Sequence, residues 1–286
     1  MGPHGVSEPG SPITDLSRYE FYERCVQSPG DLAPLLRAIH GNAPEILGED
    51  FCAAAALSEA WCQDPNARAV AVDLDPEPLA RARQRAPGQS DAAQADVLEA
   101  QLPEADLIFV GNFSIGEIHD RPALVDYLRR SRARLRSGGA FICDTYGGDS
   151  AFVTGAVHRN HPGPDGTTIR YTWEQRDADP LTGRVVNALH FRLEQSGMIT
   201  QEQTDAFVYD WRLWSVPELR DALAEAGYPR TAVYAKLPDA VDDEGKVYIQ
   251  PVEDSEELDD SFIVCVAGPI AACAHSPKKA AGPQYP

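Results

Sequence analysis

The stretch ILGEDFCAAAALSEAW, residues 46–61, decides the fold that the rest of the chain must build. An apolar run ends in two acidic residues, and a string of small residues then leads into sequence with helical spacing. This order is typical of the first turn of a parallel α/β sheet, where glycines usually allow positive φ or a close approach of the backbone to a ligand. Here Ala53, Ala54 and Ala55 stand in the turn, and a helix is expected over residues 53–63.

Strand and helix patterns alternate on both sides of this stretch. Further strands are predicted at 67–74, 105–110 and 140–145, with a weaker one near 92–95. Helices are predicted at 19–28, at 31–41 with Asp31 as cap and Gly41 as stop, at 76–86, and at 121–139 with glycines at its end. Such alternation with short turns predicts βαβ units and a parallel sheet.

From about Thr168 the pattern changes to antiparallel strands. Residues 168–177, 183–195 and 204–211 alternate polar and apolar side chains, as half-buried antiparallel strands do. A helix capped by Ser215 is then expected over 215–228, followed by closing strands at 231–236 and 261–268. The acidic stretch 239–260 is predicted to be a solvated loop, and the Gly/Pro-rich segment around His158 and His161 is also read as a loop, without a third ligand that would indicate a metal.

Composition limits the classes of partner. The formal net charge is -19 and the pI is about 4.7, without any basic cluster, so nucleic acid and anionic membrane surfaces are unexpected partners. The chain contains neither an apolar run long enough for a membrane span nor the order of a signal peptide, which favours the cytoplasm. The six scattered cysteines are read as reduced thiols. Low lysine beside abundant arginine and alanine suggests a GC-rich bacterial source.

Polar residues follow each of the first four predicted strands. Glu49 and Asp50 end the first, Asp73 ends the second, Asp96–Val97 follow the third, and Asn112–Phe113 follow the fourth. Ligands of open parallel sheets bind at the carboxyl ends of the strands. A carboxylate such as Asp73 can accept both hydroxyls of a ribose, and Asp96 could accept from an adenine amino group while Val97 lies against the ring. Each of these residue types is also common in turns that bind nothing. The prediction of a ligand site therefore rests on the order of the four turns together.

These motifs resemble those of class I S-adenosylmethionine-dependent methyltransferases over roughly residues 17–267. The resemblance lies in ILGEDFCAAAALS, VAVDLDPEPL, ADVLEA, the segment 105–148 and YDWRLWSVPELRDALAEAGY. It implies a Rossmann-like fold with a seven-stranded, mostly parallel sheet whose last strand is antiparallel, an N-terminal helical lid and a β-rich insertion. The implied division is a disordered tail 1–15, the lid 16–43, a cofactor-binding core 44–150, an acceptor-side insertion 151–214, the C-terminal part of the core 215–268 and a second disordered tail 269–286.

The first motif departs from the family pattern. The positions of the overlapping Gly-x-Gly pairs read Phe51-Cys52-Ala53 and Ala53-Ala54-Ala55. Bacterial relatives with EDFCGT at this place resemble the chain apart from the last two residues of that motif. Alanine costs little at negative φ and of order 1 kcal/mol or more in the left-handed region. The sequence leaves open whether this loop weakens cofactor binding.

The resemblance also assigns site residues. S-adenosylmethionine is the implied cofactor, with an acidic position at Glu49 and a lid in which Tyr19, Tyr22 and Gln27 face the methionine end; the alternative, that these tyrosines merely pack on the sheet, stays open. The expected cofactor residues are Tyr19, Tyr22, Gln27, Glu49, Cys52, Ala53, Asp73, Leu74, Asp96, Val97, Asn112 and Phe113.

The acceptor side carries no motif that announces a catalytic base. His119, Tyr146 and Asn112 are candidates for catalysis or positioning, although a structural role for His119 is favoured over a catalytic one. An acceptor pocket, or an enclosure for an amine, could be lined by Tyr171, Trp173, Tyr209, Trp211 and Trp214. Strand aromatics also fill the layer between a sheet and a lid, and packing is favoured for most of the five, with a pocket role for one or two.

The sequence therefore predicts an enzyme that moves a methyl group from S-adenosylmethionine to a nitrogen or oxygen of a small molecule, with no metal. A homodimer is compatible with this prediction. The main alternative is a non-catalytic relative that uses the fold as a binding or scaffold module, with the alanine loop as its signature; an aminopropyl-transferase-like use of the fold ranks last.

Overall fold

The central feature of the fold is a seven-stranded sheet. The structure, a computed structural model, describes residues 15–269, so nearly all of the two predicted tails lies outside the described residues. The strands of the sheet are β1 (Ile46–Asp50), β2 (Arg68–Asp73), β3 (Ser90–Gln94), β4 (Ala105–Val110), β5 (Leu135–Gly148), β10 (Ala232–Ala235) and β13 (Ser261–Pro269). They lie in the order β10-β13-β5-β4-β1-β2-β3.

Six strands run parallel and β13 runs antiparallel between β5 and β10. The predicted sheet with an antiparallel last strand is confirmed. The order reverses between β1 and β4, which lie side by side in the middle of the sheet. This reversal is the place where open α/β sheets bind ligands.

Helices cover both faces of the central sheet and bury its apolar residues. The helices are α1 (Arg18–Cys25), α2 (Pro29–His40), α3 (Ala56–Trp61), α4 (Pro76–Ala82), α5 (Arg121–Arg134) and α6 (Val216–Glu225). Helices α5 and α6 supply one core cluster, in which Tyr127 and Leu223 are buried. Helices α2 and α3 supply the other, around Leu36 and Trp61.

The β-rich insertion is a second, antiparallel sheet. It contains β6 (Gly155–Pro162), β7 (Thr168–Asp179), β8 (Arg184–Gln195) and β9 (Met198–Arg212) in sequential order. Helix α1 packs on this sheet, where the Phe21 ring stacks on Phe191 at 5.3 Å between centroids. The N-terminal helices and the insertion therefore share a core.

Several local predictions were wrong, each because tertiary contacts override local pattern. Helix α2 begins at Pro29, so Asp31 lies in its first turn and is not the cap. Helix α5 ends at Arg134, before the glycines, because the chain from Leu135 already pairs with β4. The histidines at 158 and 161 lie on strand β6, and the acidic stretch contains a hairpin of β11 (Ala240–Val241) and β12 (Val247–Tyr248).

Candidate functional site

A cavity of about 1110 Å³ opens at the carboxyl ends of the central strands. Such a volume is slightly above the roughly 300–1,000 Å³ of ordinary small-molecule sites, which leaves room for two small ligands side by side. Its wall is formed by α1 and α2, the turns after β1 to β4, strand β9, and residues 236–247. Ten of the twelve expected cofactor residues line it: Tyr19, Tyr22, Gln27, Glu49, Ala53, Asp73, Leu74, Asp96, Val97 and Asn112.

The turn after β1 keeps the conformation that glycines would normally serve. Phe51, Ala53 and Ala55 have φ of 58°, 47° and 56°, in the left-handed region. Helix α3 therefore begins at Ala56, three residues later than expected. The strained turn is held by contacts to β2, including a 2.7 Å hydrogen bond from the Ala53 amide to Asp73 Oδ2. Left-handed alanines cost about 1–2 kcal/mol each, so this turn stores strain beside the cavity.

Replacing Ala53 by glycine is expected to raise the free energy of unfolding by about 0.5–1 kcal/mol. Glycine relieves the left-handed strain, and this gain exceeds the extra entropy that glycine gives the unfolded chain. Ala54→Gly is the matched control, because Ala54 is buried and its φ is not positive; it should lower stability. Urea unfolding measures both variants. A destabilised Ala53→Gly protein would show that the turn is unstrained.

Asp73 lies where the turn after β1 meets the end of β2. Its carboxylate also accepts the Asp75 amide at 2.9 Å through Oδ1. Burial raises the pKa of Asp73, opposed by these backbone hydrogen bonds. Each carboxylate oxygen still has a lone pair that can face the cavity. Leu74 beside it has an exposed side chain, so an apolar surface adjoins the acid.

Glu49 serves the structure of the turn more than the cavity surface. Its buried carboxylate accepts the Ser58 amide at 2.8 Å and the Ser58 hydroxyl at 2.5 Å, which caps the start of α3. Alanine at position 55 offers no side-chain cap of its own. Burial raises the pKa of Glu49 to about 7, against the lowering effect of the Ser58 hydrogen bonds.

The raised pKa of Glu49 predicts a pH dependence of stability. A carboxyl whose pKa is higher in the folded chain binds more protons when folded, so stability falls as the pH rises from about 4.5 to about 7. Relative to Glu49→Gln, the wild type should lose at least about 1 kcal/mol between pH 5 and pH 8, since a tenfold change in a protonation equilibrium corresponds to about 1.4 kcal/mol. Urea unfolding at both pH values tests this, with Glu45→Gln, an exposed neighbour, as control. Parallel pH profiles of the wild type and Glu49→Gln would contradict the prediction.

Helix α1 and the turn after it bring the predicted lid residues to the cavity. The Tyr19 hydroxyl donates to Asp75 Oδ2 at 2.9 Å, while Tyr22 packs against Phe207 of β9 at 5.1 Å between centroids. Gln27 carries a buried Oε1 that receives no hydrogen bond from the described residues. A buried acceptor without a donor costs about 1–3 kcal/mol, so this atom is suited to a ligand's N–H.

The turn after β4 is organised by Asp144, a residue that sequence reasoning missed. Asn112 and Phe113 have φ of 53° and 65°, and their amides donate to the Asp144 carboxylate at 3.0 and 2.7 Å. Lys236 donates to the same carboxylate at 2.5 Å and lines the cavity. The signal was present, since Asp144 ends the apolar run AFIC on the strand next to β4.

Some expected site residues lie elsewhere. Cys52 and Phe113 are buried in apolar clusters and do not line the cavity. His119 is also outside the lining: its Nδ1 accepts from Arg184 at 2.8 Å and its Nε2 donates to the Asp210 carbonyl at 2.7 Å, which is a structural role. The Tyr146 hydroxyl donates to Gln175 at 2.9 Å, away from the cavity.

The expected aromatic pocket is mostly packing. Of the five residues only Tyr209 lines the cavity. Trp214 is 1% exposed and donates to the Ile118 carbonyl within the core, and Tyr171 stacks on Phe191. Trp173 donates to Asn187 Oδ1 at 2.8 Å. Trp211 is buried but donates its indole N–H to Glu117, which does line the cavity and which sequence reasoning missed.

The described residues hold no group of three or more side chains arranged to bind a metal. Cys25, Cys52, Cys62, Cys143 and Cys265 are free thiols, while Cys273 lies outside the described part. Between residues 15 and 269, every helix is too short or too polar to cross a bilayer.

Comparison with known proteins agrees with this geometry. Residues 51–143, from the strained turn through most of β5, match a family model described as a methyltransferase domain. A search of curated proteins found no significant match.

Several solved structures share the fold over nearly the whole chain. An S-adenosylmethionine-dependent methyltransferase from Clostridium acetobutylicum is 17% identical with a TM-score of 0.61, and covers 89% of this chain and 98% of its own. A sugar N-methyltransferase from Streptoalloteichus is 19% identical with a TM-score of 0.59, over 93% and 98%. An amino pentose methyltransferase from Micromonospora echinaspora, solved with S-adenosylmethionine bound, is 16% identical with a TM-score of 0.61, over 91% and 100%. Residues 51–143 thus resemble a methyltransferase domain, and the strand order and the structural neighbours show that the chain has the class I fold of S-adenosylmethionine-dependent methyltransferases.

Proposed function

We propose that this chain is an enzyme that transfers a methyl group from S-adenosylmethionine to a nitrogen or oxygen of a small molecule. The observation that carries the proposal is the open cavity at the β1/β4 reversal, with Asp73, Asp96 and Gln27 on its wall. The sugar and amino pentose methyltransferases with this fold support a small acceptor that bears hydroxyl or amino groups.

The residues present fit the cofactor. Asp73 offers a carboxylate to a ribose diol, and Asp96 with buried Val97 offers an acceptor and an apolar surface to an adenine. The unpartnered Gln27 Oε1 would accept from the α-amino group of the methionine part. When bound, S-adenosylmethionine supplies a methyl group already activated on a sulfonium sulfur.

The remaining work of the protein is to align two ligands and exclude water. The strained turn after β1 and the turn after β4, which Asp144 stabilises, form the floor of the cavity. Aromatic contacts of Tyr19 and Tyr22 with Phe207 hold α1 over this floor. Fixing two reactants in reacting geometry can supply about 7–11 kcal/mol of the barrier. A dedicated proton acceptor is needed where the attacking atom must first lose a proton, as an ammonium nitrogen or a hydroxyl oxygen does.

The scaffold alternative expects a cavity filled by side chains or unused. The cavity is open, and the left-handed alanines keep the turn in the conformation that glycines serve in related loops. These observations favour the enzyme over the scaffold. A cytoplasmic location, a bacterial source, a homodimer, and the exclusion of nucleic acid and membrane as partners stay predictions from sequence.

The test is calorimetric titration of the full chain with S-adenosylmethionine and S-adenosylhomocysteine, followed by an assay for S-adenosylhomocysteine release with a panel of small amines and alcohols. Micromolar binding with acceptor-dependent release supports the proposal. A well-folded protein that binds neither compound would favour the scaffold alternative.

A further inference from the structure

Resting on the proposed function, we infer that the acceptor is an aliphatic amine and that Glu117 binds its ammonium group and takes one proton from it. Glu117 lines the cavity and belongs to the 3-10 turn of residues 114–117 that follows β4. It therefore stands beside the sheet's reversal, on the same wall as Asn112.

The carboxylate of Glu117 is fixed by β9. Gly116 lets this strand approach closely, since a Cβ at that position would lie 2.9 Å from Trp211 Cβ and 3.0 Å from the Arg212 carbonyl oxygen. The Trp211 indole N–H then donates to Glu117 Oε1 at 2.7 Å. The buried indole on a packed strand is a fixed donor for one oxygen of this carboxylate, while Glu117 as a residue remains exposed at the cavity wall.

The second oxygen of Glu117 is free for a ligand. Within residues 15–269 no lysine or arginine forms an ion pair with Glu117, and Oε2 receives no hydrogen bond. Partial loss of hydration in the cavity wall raises the pKa of the Glu117 carboxyl, opposed by the Trp211 hydrogen bond and by His119, while Asp210 and Asp73 add to the rise. A carboxylate with a raised pKa is a better proton acceptor near neutral pH.

The charge of the cavity favours a cation. Seven acidic residues and three basic residues line it: Asp31, Glu49, Asp50, Asp73, Asp75, Asp96 and Glu117 against Arg18, Arg159 and Lys236. Two of the three cations are paired, Arg18 with Glu77 and Lys236 with Asp144, and Arg159 is exposed on β6. Among the acids, Asp50 is paired with Arg134 and Asp75 lies 3.9 Å from Arg18, so the excess of negative charge comes from the other acidic residues. The net charge of -19 adds long-range attraction for cations.

A row of aromatic rings on β9 forms part of the cavity wall. Tyr209 stacks on Trp211 at 4.4 Å between centroids, and Phe207 stacks on Tyr209 at 6.2 Å, so one face of β9 carries a row of rings. Tyr209 and Phe207 line the cavity on the same strand that holds Glu117 in place. The stacked rings give this wall an apolar surface for the carbon skeleton of an amine, and a charge-assisted hydrogen bond to the carboxylate would orient its ammonium group.

The step assigned to Glu117 is a proton transfer. The N–H bond of the acceptor ammonium breaks, its electron pair stays on nitrogen as the lone pair needed for attack, and the proton forms an O–H bond on Glu117. The proton then leaves to solvent through the open cavity. A hydroxyl acceptor would bring no positive charge to this carboxylate, so the charge of the site favours an ammonium group over a hydroxyl.

The test uses the full chain with ¹⁵N-labelled tryptophan, saturated with S-adenosylhomocysteine. Four tryptophans give four indole resonances, and Trp211→Phe assigns the one that reports on Glu117. Cyclohexylammonium chloride and cyclohexanol are titrated separately at about pH 8, where the amine is protonated. We expect the Trp211 resonance to shift with both probes and the ammonium to bind at least about tenfold more tightly.

Variants separate the possible outcomes. Glu117→Gln should bring the two affinities to within about twofold, whereas Asp210→Asn, which removes a nearby charge outside the cavity lining, should keep the preference. Equal affinities of the wild type for the ammonium and the alcohol, or a preference for the ammonium that persists in Glu117→Gln, would overturn the role of Glu117. In either case, binding of S-adenosylhomocysteine would leave the proposed function intact. Failure of S-adenosylhomocysteine to bind in prior calorimetry would overturn the proposed function and this assignment with it.

Discussion

Replacing Asp73 by asparagine should weaken S-adenosylhomocysteine binding by about 10- to 100-fold. A carboxylate accepts both hydroxyls of a ribose, and hydrogen bonds to a charged group are worth about 1.5–3 kcal/mol net. Asparagine keeps the shape and one acceptor oxygen, so it can still receive the Ala53 amide that Asp73 holds at 2.7 Å. Calorimetry measures the affinity, and urea unfolding checks that the variant remains folded.

Asp75→Asn is the matched control for Asp73. Asp75 lines the same cavity, but its carboxylate is occupied by the Tyr19 hydroxyl and by the Glu77 amide, each at 2.9 Å. Removing this charge should change the affinity by no more than about threefold. If both variants bind as the wild type does, Asp73 is a turn residue and the ribose lies elsewhere.

Replacing Asp144 by alanine should lower the free energy of unfolding by about 3 kcal/mol. The fully buried carboxylate holds the amides of Asn112 and Phe113 and neutralises Lys236. Removing one partner of a buried pair costs about 3–5 kcal/mol because the other charge is left uncompensated. We expect the lower end, since Lys236 keeps 28% of its side chain exposed.

Lys236 distinguishes loss of the ion pair from loss of the turn. Burial lowers its pKa, but the charge of Asp144 outweighs this and the pKa is raised overall. Asp144→Ala combined with Lys236→Met should therefore recover about 1–2 kcal/mol of the loss. Asp149→Ala, on an exposed residue just beyond β5, should change stability by less than about 0.5 kcal/mol. Urea unfolding measures the free energy of unfolding of all these variants. An Asp144→Ala variant as stable as the wild type would mean that the turn after β4 does not depend on Asp144.

Much of the fold was predictable because it depends on local patterns. Apolar runs such as ADLIFV and AFICDT are typical of buried strands, and the helices between them enforce parallel pairing. The change to alternating polarity at Thr168 predicted the antiparallel insertion, because that alternation is typical of strands with one buried face. Predicted ends of helices and strands were wrong where the chain pairs with a neighbouring strand, as at Leu135, where pairing with β4 begins.

The candidate site was predictable only in part. Residues at strand ends, such as Asp73 and Asp96, were found because the sheet itself carries them to one edge. Which of the aromatic residues would face the cavity was not predictable, because that depends on what the neighbouring elements pack against. Trp214 lies just beyond the end of β9 and is buried in the same core cluster as Leu219 and Leu223 of α6, while Tyr209 of β9 lines the cavity.

The sequence by itself determined the βαβ order, the antiparallel insertion, the acidic composition and the positions of the acids at the strand ends, since all of these follow from periodicity and composition. Only the tertiary structure decided that Ala53 and Ala55 adopt left-handed φ, that Asp144 and Lys236 meet beneath the turn after β4, and that Trp211 holds Glu117 at the cavity wall. Backbone strain and contacts between residues nearly a hundred positions apart are settled by packing between elements, which no local pattern encodes.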